Sequence, residues 1–337
     1  MSDLVRWGTL GNALIARKCV LPAMARSRNG EAYALATRSP RAAGALAGEH
    51  RIRRLYGRYE DLLADPDVDA VYIPLPNHLH LPWTLKALEA GKHVLCEKPL
   101  ARNAEEAREM VRAAERKGRL LMEGFMYRFH PRGRMVRDLV RQGSLGAVRW
   151  VRSAFCFPMA EEMLATGANA RLDPGQGGGA LLDVGCYGVS VARWLAGEEP
   201  QAVQAQAVYH AGGVDVHLAG SLKFPGGCLA VVEAGFVSAL QQTYCVVGTE
   251  GSVELPHDAF IPWEKDTVFT VRGKDEETGR TRSVAGADEY RLMVEHFADA
   301  VLGRAPLEFH PRDSVANMRV LDGLAQAARS GETVILK

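Results

Sequence analysis

Two short stretches of this chain carry residue types that can exchange a proton with a hydroxyl group. In His93-Val94-Leu95-Cys96-Glu97-Lys98-Pro99-Leu100 an apolar strand runs straight into an acid, an ammonium and a proline. Pro99 restricts the residue before it to extended backbone and permits a cis peptide, so Lys98 is held rather than swept through solvent. A desolvated ammonium has its pKa lowered, which suits proton exchange near neutral pH; equally, it can orient a substrate oxygen and a cofactor ribose by hydrogen bonds. A lone lysine is ordinarily a solvated surface charge. The apolar Leu95-Cys96 and Pro99-Leu100 on either side argue for a site instead.

The second stretch is Gly177-Gly178-Gly179-Ala180-Leu181-Leu182-Asp183-Val184-Gly185-Cys186-Tyr187. If it is helical, Asp183 and Tyr187 share one face, so a carboxylate that orients a hydroxyl and a phenol that exchanges its proton open into the same space. The three glycines are expected to leave room for a ligand beside the backbone. The plainer readings make Asp183 the cap of a neighbouring turn and Tyr187 a core tyrosine with a satisfied hydroxyl. His78 and His80 form a His-x-His pair without a third ligand, so no metal is expected.

These residues need a scaffold, and the first 125 residues supply one by alternating short apolar runs with helical patterns, the reading of βαβ units on a parallel sheet. Strands are expected near Leu4–Leu10, Glu31–Thr37, Ala70–Leu75, His93–Cys96 and Leu120–Gly124, with helices at Ala13–Arg26, Pro40–Glu49, Tyr59–Ala64, Leu81–Ala90 and Ala104–Lys117. From Gly11 the first turn reads G-x-A-x-x-A, a relaxed dinucleotide fingerprint. Gly11 allows the tight turn, Ala13 sits where backbone approaches a pyrophosphate, and Ala16 lets helix and strand pack closely. Gly11, Asn12, Ala13, Leu14 and Ile15 are therefore expected to cradle a cofactor at a helix N-terminus. The second strand ends Thr37-Arg38-Ser39, without the acid that NAD-selective folds offer to the ribose; Arg38 suits a 2′-phosphate or an adenine face. The expectation is NAD(P), leaning to NADP. In an open α/β sheet ligands lie beyond the carboxyl ends of the strands. There Pro74, Leu75, Asn77, His80, Glu97 and Lys98 are assigned to the cofactor, and Tyr127, Arg128 and His130 to the substrate.

Beyond Phe125 the texture changes. Helices at about Pro131–Gln142 and Ala180–Leu195 precede strand candidates at Ala147–Phe157, Ala202–His210, Val214–Phe224, Cys228–Val237, Tyr244–Gly248 and Val268–Arg272, and helices at about Asp288–Leu302 and Pro311–Arg329 follow. Alternating patterns and glycine turns argue a largely antiparallel sheet. The chain of 337 residues is 47% hydrophobic, enough for two cores, and a cut at 1–124 and 125–337 is expected. With 41 basic and 40 acidic residues, formal charge +1, no global field favours nucleic acid or an acidic membrane. Six cysteines without a CxxC pair suggest reduced thiols. The opening residues lack the apolar core of a secretion signal, so a cytoplasmic location is expected.

Glu97-Lys98-Pro99, the segment Met122–Pro131 and the glycine segment ending in Tyr187, in that order, resemble the Gfo/Idh/MocA oxidoreductase family over nearly the whole chain. The resemblance implies a Rossmann domain followed by an open-faced mixed sheet that mediates homodimers or homotetramers, NAD(P) as cofactor, and Lys98 as the family's site lysine. Tyr187, where many members carry His, is similar to the branch of sugar dehydrogenases, dihydrodiol dehydrogenases and deoxysugar ketoreductases; there Tyr187 takes the acid/base role and Asp183 that of a substrate ligand. Thr37-Arg38 resembles the Ser-Arg of NADP-using relatives. Departures are Ala13 in place of the second fingerprint glycine and the missing N-terminal arm of the periplasmic oxidoreductase.

The expected protein is thus a two-domain α/β dehydrogenase or ketoreductase acting on a sugar or polyol, at carbon 1 of an aldose or at a ring carbon such as carbon 3 of a pyranoside. Two other readings keep the fold: a sensor or scaffold that binds NAD(P) without turning it over, and a redox-cycling hydrolase or isomerase.

Overall fold

The computed structural model describes residues 3–336. The chain divides into two units, one running to Met126 and taking in Asp288–Val315, the other comprising Tyr127–Ala287 and the chain from Ala316 on.

The first unit is built on β1 (Val5–Leu10), β2 (Gly30–Ala36), β3 (Arg54–Tyr56), β4 (Ala70–Ile73), β5 (His93–Cys96) and β6 (Leu121–Glu123), in the order β3-β2-β1-β4-β5-β6. Every pairing is parallel. The middle strands are apolar runs buried on both faces, as a doubly wound sheet requires. Strand order reverses between β1 and β4, which puts the Gly11 turn beside the loop after β4. The helix Ala104–Lys117 shows how local chemistry sets an element: the Asn103 side chain accepts from Glu106 N–H, acids occupy the first turn, bases the last, and Gly118 leaves in the left-handed region.

The segment from Asp288 to Val315 belongs with this unit, whereas the cut read from the sequence assigns everything after residue 124 to the second. The reason lies in β1: Trp7 needs an apolar cover, and Phe297, on the helix Glu289–Val301, brings its ring to 5.5 Å from the indole.

The second unit carries β7 (Val148–Cys156), β8 (Ala202–Tyr209), β9 (Asp215–Lys223), β10 (Leu229–Gly235), β11 (Gln241–Gly248), β12 (Gly251–Leu255), β13 (Thr267–Gly273), β14 (Arg280–Val284) and β15 (Val334–Ile335). They form one sheet ordered β14-β13-β12-β11-β7-β10-β9-β8-β15, antiparallel except for β7 with β10. One face packs on the helix Cys186–Ala196, where Gly188 permits close approach: a Cβ there would lie 2.7 Å from Ser153 Oγ of β7. The other face alternates outward, with Arg152 and Glu233 exposed on it.

Differences from the expected elements have physical causes. β3, β14 and β15 are short or polar edge strands with no apolar periodicity, and β12 begins inside what reads as a turn. Two stretches expected as plain helix contain a wider, π-type turn, at Ala16–Val20 and Leu181–Gly185. Among the described residues no helix is long and apolar enough to cross a membrane.

Candidate active site

The Gly11 turn is shaped by what surrounds it. Its φ is +99°, and a Cβ at Gly11 would stand 2.9 Å from Leu75 Cδ2 and 3.2 Å from Tyr59 Oη, so only glycine fits. Gly11 N–H donates to Ala36 O (2.8 Å), which ties the turn to the end of β2. The Asn12 side-chain oxygen is buried without a partner, and Leu14 is 57% exposed on the first helical turn, with Ala13 and Ile15 half-buried. A cradle closed to any Cβ, next to an unsatisfied side-chain amide and a helix start, fits a dinucleotide pyrophosphate. At the end of β2, Thr37 is buried, its Oγ accepts from Ser39 N–H (3.4 Å), and Arg38 is exposed. Burial pushes the Tyr59 phenol up, and the charge of Arg38 opposes the shift. Tyr59 is a part of this cradle that the sequence pattern marks only as the start of a helix.

Lys98 sits on a turn braced from three sides. The Lys98–Pro99 peptide is cis. The buried Glu97 carboxylate accepts the Tyr72 hydroxyl at Oε1 (2.6 Å) and Lys98 N–H at Oε2 (3.3 Å). Leu100 N–H donates to Glu123 Oε1 (2.8 Å), which pins the far side of the turn to β6. His80 supplies the third brace, with Nδ1 2.9 Å from Pro99 O and Nε2 2.7 Å from Leu75 O. Burial lowers its pKa, the carbonyls of Leu75, Pro99 and Leu100 oppose that shift, and the nearby Lys98 charge adds to it. The His80 ring is fully buried and both nitrogens face backbone carbonyls, so it joins the loop of Pro74, Leu75 and Asn77 to the lysine turn. Glu97 is likewise placed as a brace beneath Lys98.

In the second unit Asp183 and Tyr187 occupy the π-type turn and the start of the following helix. Asp183 Oδ2 accepts from Arg171 Nε at 2.6 Å. Tyr187 is buried, its ring 5.3 Å from Phe155, 5.3 Å from Phe260 and 5.9 Å from Tyr127. The sequence reading has the glycines leave room for a ligand, but at Gly178 and Gly179 the space is taken by the chain itself. A Cβ at Gly178 would lie 2.5 Å from Arg171 O, and one at Gly179 would lie 2.3 Å from Asp215 Oδ1. Their smallness admits the Arg171 backbone and the Asp215 carboxylate, which accepts Leu181 N–H (2.7 Å).

Tyr127, Arg128 and His130, assigned to the substrate by sequence, are buried in this unit. Tyr127 Oη and an Arg128 terminal nitrogen both donate to Ser190 Oγ, at 2.9 and 2.6 Å. His130 Nδ1 accepts Arg132 N–H (3.1 Å) and caps the helix Pro131–Arg141. Burial and the Arg132 charge hold the His130 pKa down at about 4.

A parallel doubly wound sheet with a closed glycine cradle at its switch point is the arrangement of a dinucleotide-binding domain. Residues 5–125 match the family described as oxidoreductase family, NAD-binding Rossmann fold, and residues 134–254 match the GFO/IDH/MocA C-terminal domain. The chain belongs to the Gfo/Idh/MocA oxidoreductases. It is 40% identical over 334 residues to a D-xylose 1-dehydrogenase (NADP(+)) of Haloferax volcanii, covering 98% of this chain and 99% of that protein. Among solved structures it is similar to aldose-aldose oxidoreductase from Caulobacter crescentus complexed with glycerol (TM-score 0.89, 29% identity, 99% and 100% covered). It is also similar to KijD10, a 3-ketoreductase from Actinomadura kijaniata in complex with NADP and TDP-benzene (TM-score 0.88, 30% identity, 96% and 98% covered).

Proposed function

We propose that this oxidoreductase is an NADP-preferring dehydrogenase or ketoreductase of a sugar or sugar-like polyol. The observation that carries the reading is the Asp183–Tyr187 pair, one turn apart, with the carboxylate fixed by Arg171 at 2.6 Å. A carboxylate so held accepts a hydrogen bond from one hydroxyl of a diol, and a phenol beside it exchanges the proton of the next. Relatives named for aldoses and for a dTDP-deoxyglucose 3-reductase support a carbohydrate substrate and leave carbon 1 and a ring carbon as the alternatives.

NADP(H), when bound, supplies or accepts hydride at the carbinol carbon. Gly11, Asn12, Ala13, Leu14 and Ile15 would hold its pyrophosphate, and Thr37 and Arg38 its 2′-phosphate. In the oxidation direction the substrate O–H breaks and the proton passes to the Tyr187 phenolate, and the Lys98 ammonium is given an assisting role by its charge. In reduction Tyr187 returns the proton. The exposed face of the nine-stranded sheet is the surface through which copies of the chain would form a homodimer or homotetramer.

The test is an absorbance screen of free aldoses, glycosides and keto-sugars with both cofactors. The proposal predicts turnover of at least one sugar class, faster with NADP. Binding of NADPH with no hydride transfer across the panel would favour the non-catalytic reading, and turnover with NAD at least equal to that with NADP would remove the role given to Arg38.

A further inference from the structure

No motif in the sequence marks Arg171, yet the fold spends several contacts on placing it. Asn169 Oδ1 accepts Arg171 N–H at 2.9 Å, and Arg171 O accepts Gly179 N–H at 2.8 Å. Gly177 and Gly179 adopt φ of +77° and +114°, so the chain folds back on itself against the Arg171 backbone. Asp173 ties the intervening loop by accepting Gly175 N–H and the Gln176 amide, both at 2.8 Å. The guanidinium that results lies over the Phe157 ring, 6.0 Å to its centroid, and donates from Nε to Asp183 Oδ2 at 2.6 Å.

The consequence concerns Tyr187. A bare Asp183 carboxylate one helical turn away would disfavour the phenolate by like-charge repulsion. Arg171 offsets that charge through its 2.6 Å bond to the carboxylate. Groups around the ring include Tyr127, whose neighbour Arg128 is bonded to Ser190 and touches the Tyr127 hydroxyl at 3.5 Å, and the uncharged Phe155 and Phe260.

We propose that Arg171 is a positioning residue that locks Asp183 and offsets its negative charge one turn from Tyr187, so that the Tyr187 phenolate, the form that accepts a proton, is easier to reach than beside a bare carboxylate. The inference rests on the acid/base role given to Tyr187 above. Its structural half, the charge beside the phenol, is measurable without any substrate.

The experiment titrates tyrosinate by ultraviolet absorbance in the full-length protein, with Tyr187→Phe subtracted to isolate that residue, in the parent, Arg171→Gln, Arg171→Lys and Asp183→Asn. Arg171→Gln is expected to raise the Tyr187 pKa by about one unit, Arg171→Lys to leave it near the parent value, and Asp183→Asn to lower it. In sugar oxidation Arg171→Gln then loses about tenfold in turnover at neutral pH and recovers at alkaline pH. Titration curves that coincide in all four proteins overturn the proposal, as does Arg171→Lys behaving like Arg171→Gln. The Asp183→Asn arm decides the matter if the Arg171 variants fail to fold. A shifted titration in a protein that oxidises no sugar would sink the functional reading and leave this one standing.

Discussion

The Tyr72 hydroxyl, buried on β4, donates a 2.6 Å hydrogen bond to Glu97 Oε1 at the end of the neighbouring strand β5, while the other oxygen of that carboxylate accepts the backbone N–H of Lys98. The lysine turn is thus positioned from inside the sheet. Removing the donor with Tyr72→Phe leaves a buried carboxylate short of one partner. The expected cost is about 1–3 kcal/mol of stability, read from urea unfolding. Because the bond sits under Lys98, turnover should fall more than the Michaelis constant rises; an unchanged turnover number would assign Tyr72 to packing alone.

Two histidines make folding sensitive to mild acid. His93 Nδ1 accepts Leu120 N–H (3.0 Å) and His130 Nδ1 accepts Arg132 N–H (3.1 Å), so a proton on either acceptor breaks a backbone bond. Burial first, and then Arg119 for His93 and Arg132 for His130, lower both pKa values to about 4. The unfolded chain takes up these protons near pH ~6.5 and the folded chain does not. Stability from the neutral rings is therefore fully present above that pH and is lost as pH falls toward about 4. The urea midpoint should decline through this window, and His93→Gln with His130→Gln should flatten the decline; an unchanged slope would refute the assignment.

Arg38 is exposed just after β2, where the segment Thr37-Arg38-Ser39 carries no acid for a ribose diol. Arg38→Ala should weaken NADPH by about 10–100-fold, the loss expected for a charge-assisted pair, and leave NADH within a few-fold. Cofactor fluorescence titration measures both. Equal weakening of the two would mean that Arg38 stacks on adenine rather than reading the phosphate.

Much of this was legible in residue patterns, for reasons that are local. The parallel sheet announces itself because strands such as Ala70–Ile73 and His93–Cys96 must be apolar on both faces, and the helix Ala104–Lys117 begins and ends where Asn103 and Gly118 cap it. Glu97-Lys98-Pro99 is visible because a charge beside proline at a strand end is chemically odd. The partners that hold the site in place were not legible. Arg171 meets Asp183 across twelve positions of loop, and His80 meets Pro99 across nineteen, and neither pairing has a period or a spacing to betray it. The glycine run misled for a related reason. Smallness signals that something comes close, and the sequence does not say whether that is a ligand or, as at Gly178, the chain's own carbonyl. The return of Asp288–Val315 to the first unit is likewise a tertiary fact, set by the need to cover Trp7.

Lys98 and Tyr187 are the two residues to which the proposed function assigns proton exchange. The most direct measurement is turnover of the parent, Lys98→Met, Tyr187→Phe and the double variant on one sugar at saturating NADP, with NADPH affinity measured alongside. Each single change should cost about 10²–10⁴-fold in turnover, the double change no more than the worse single one, and NADPH binding should stay within a few-fold. Losses that multiply in the double variant, or an active Lys98→Met enzyme, would contradict the account.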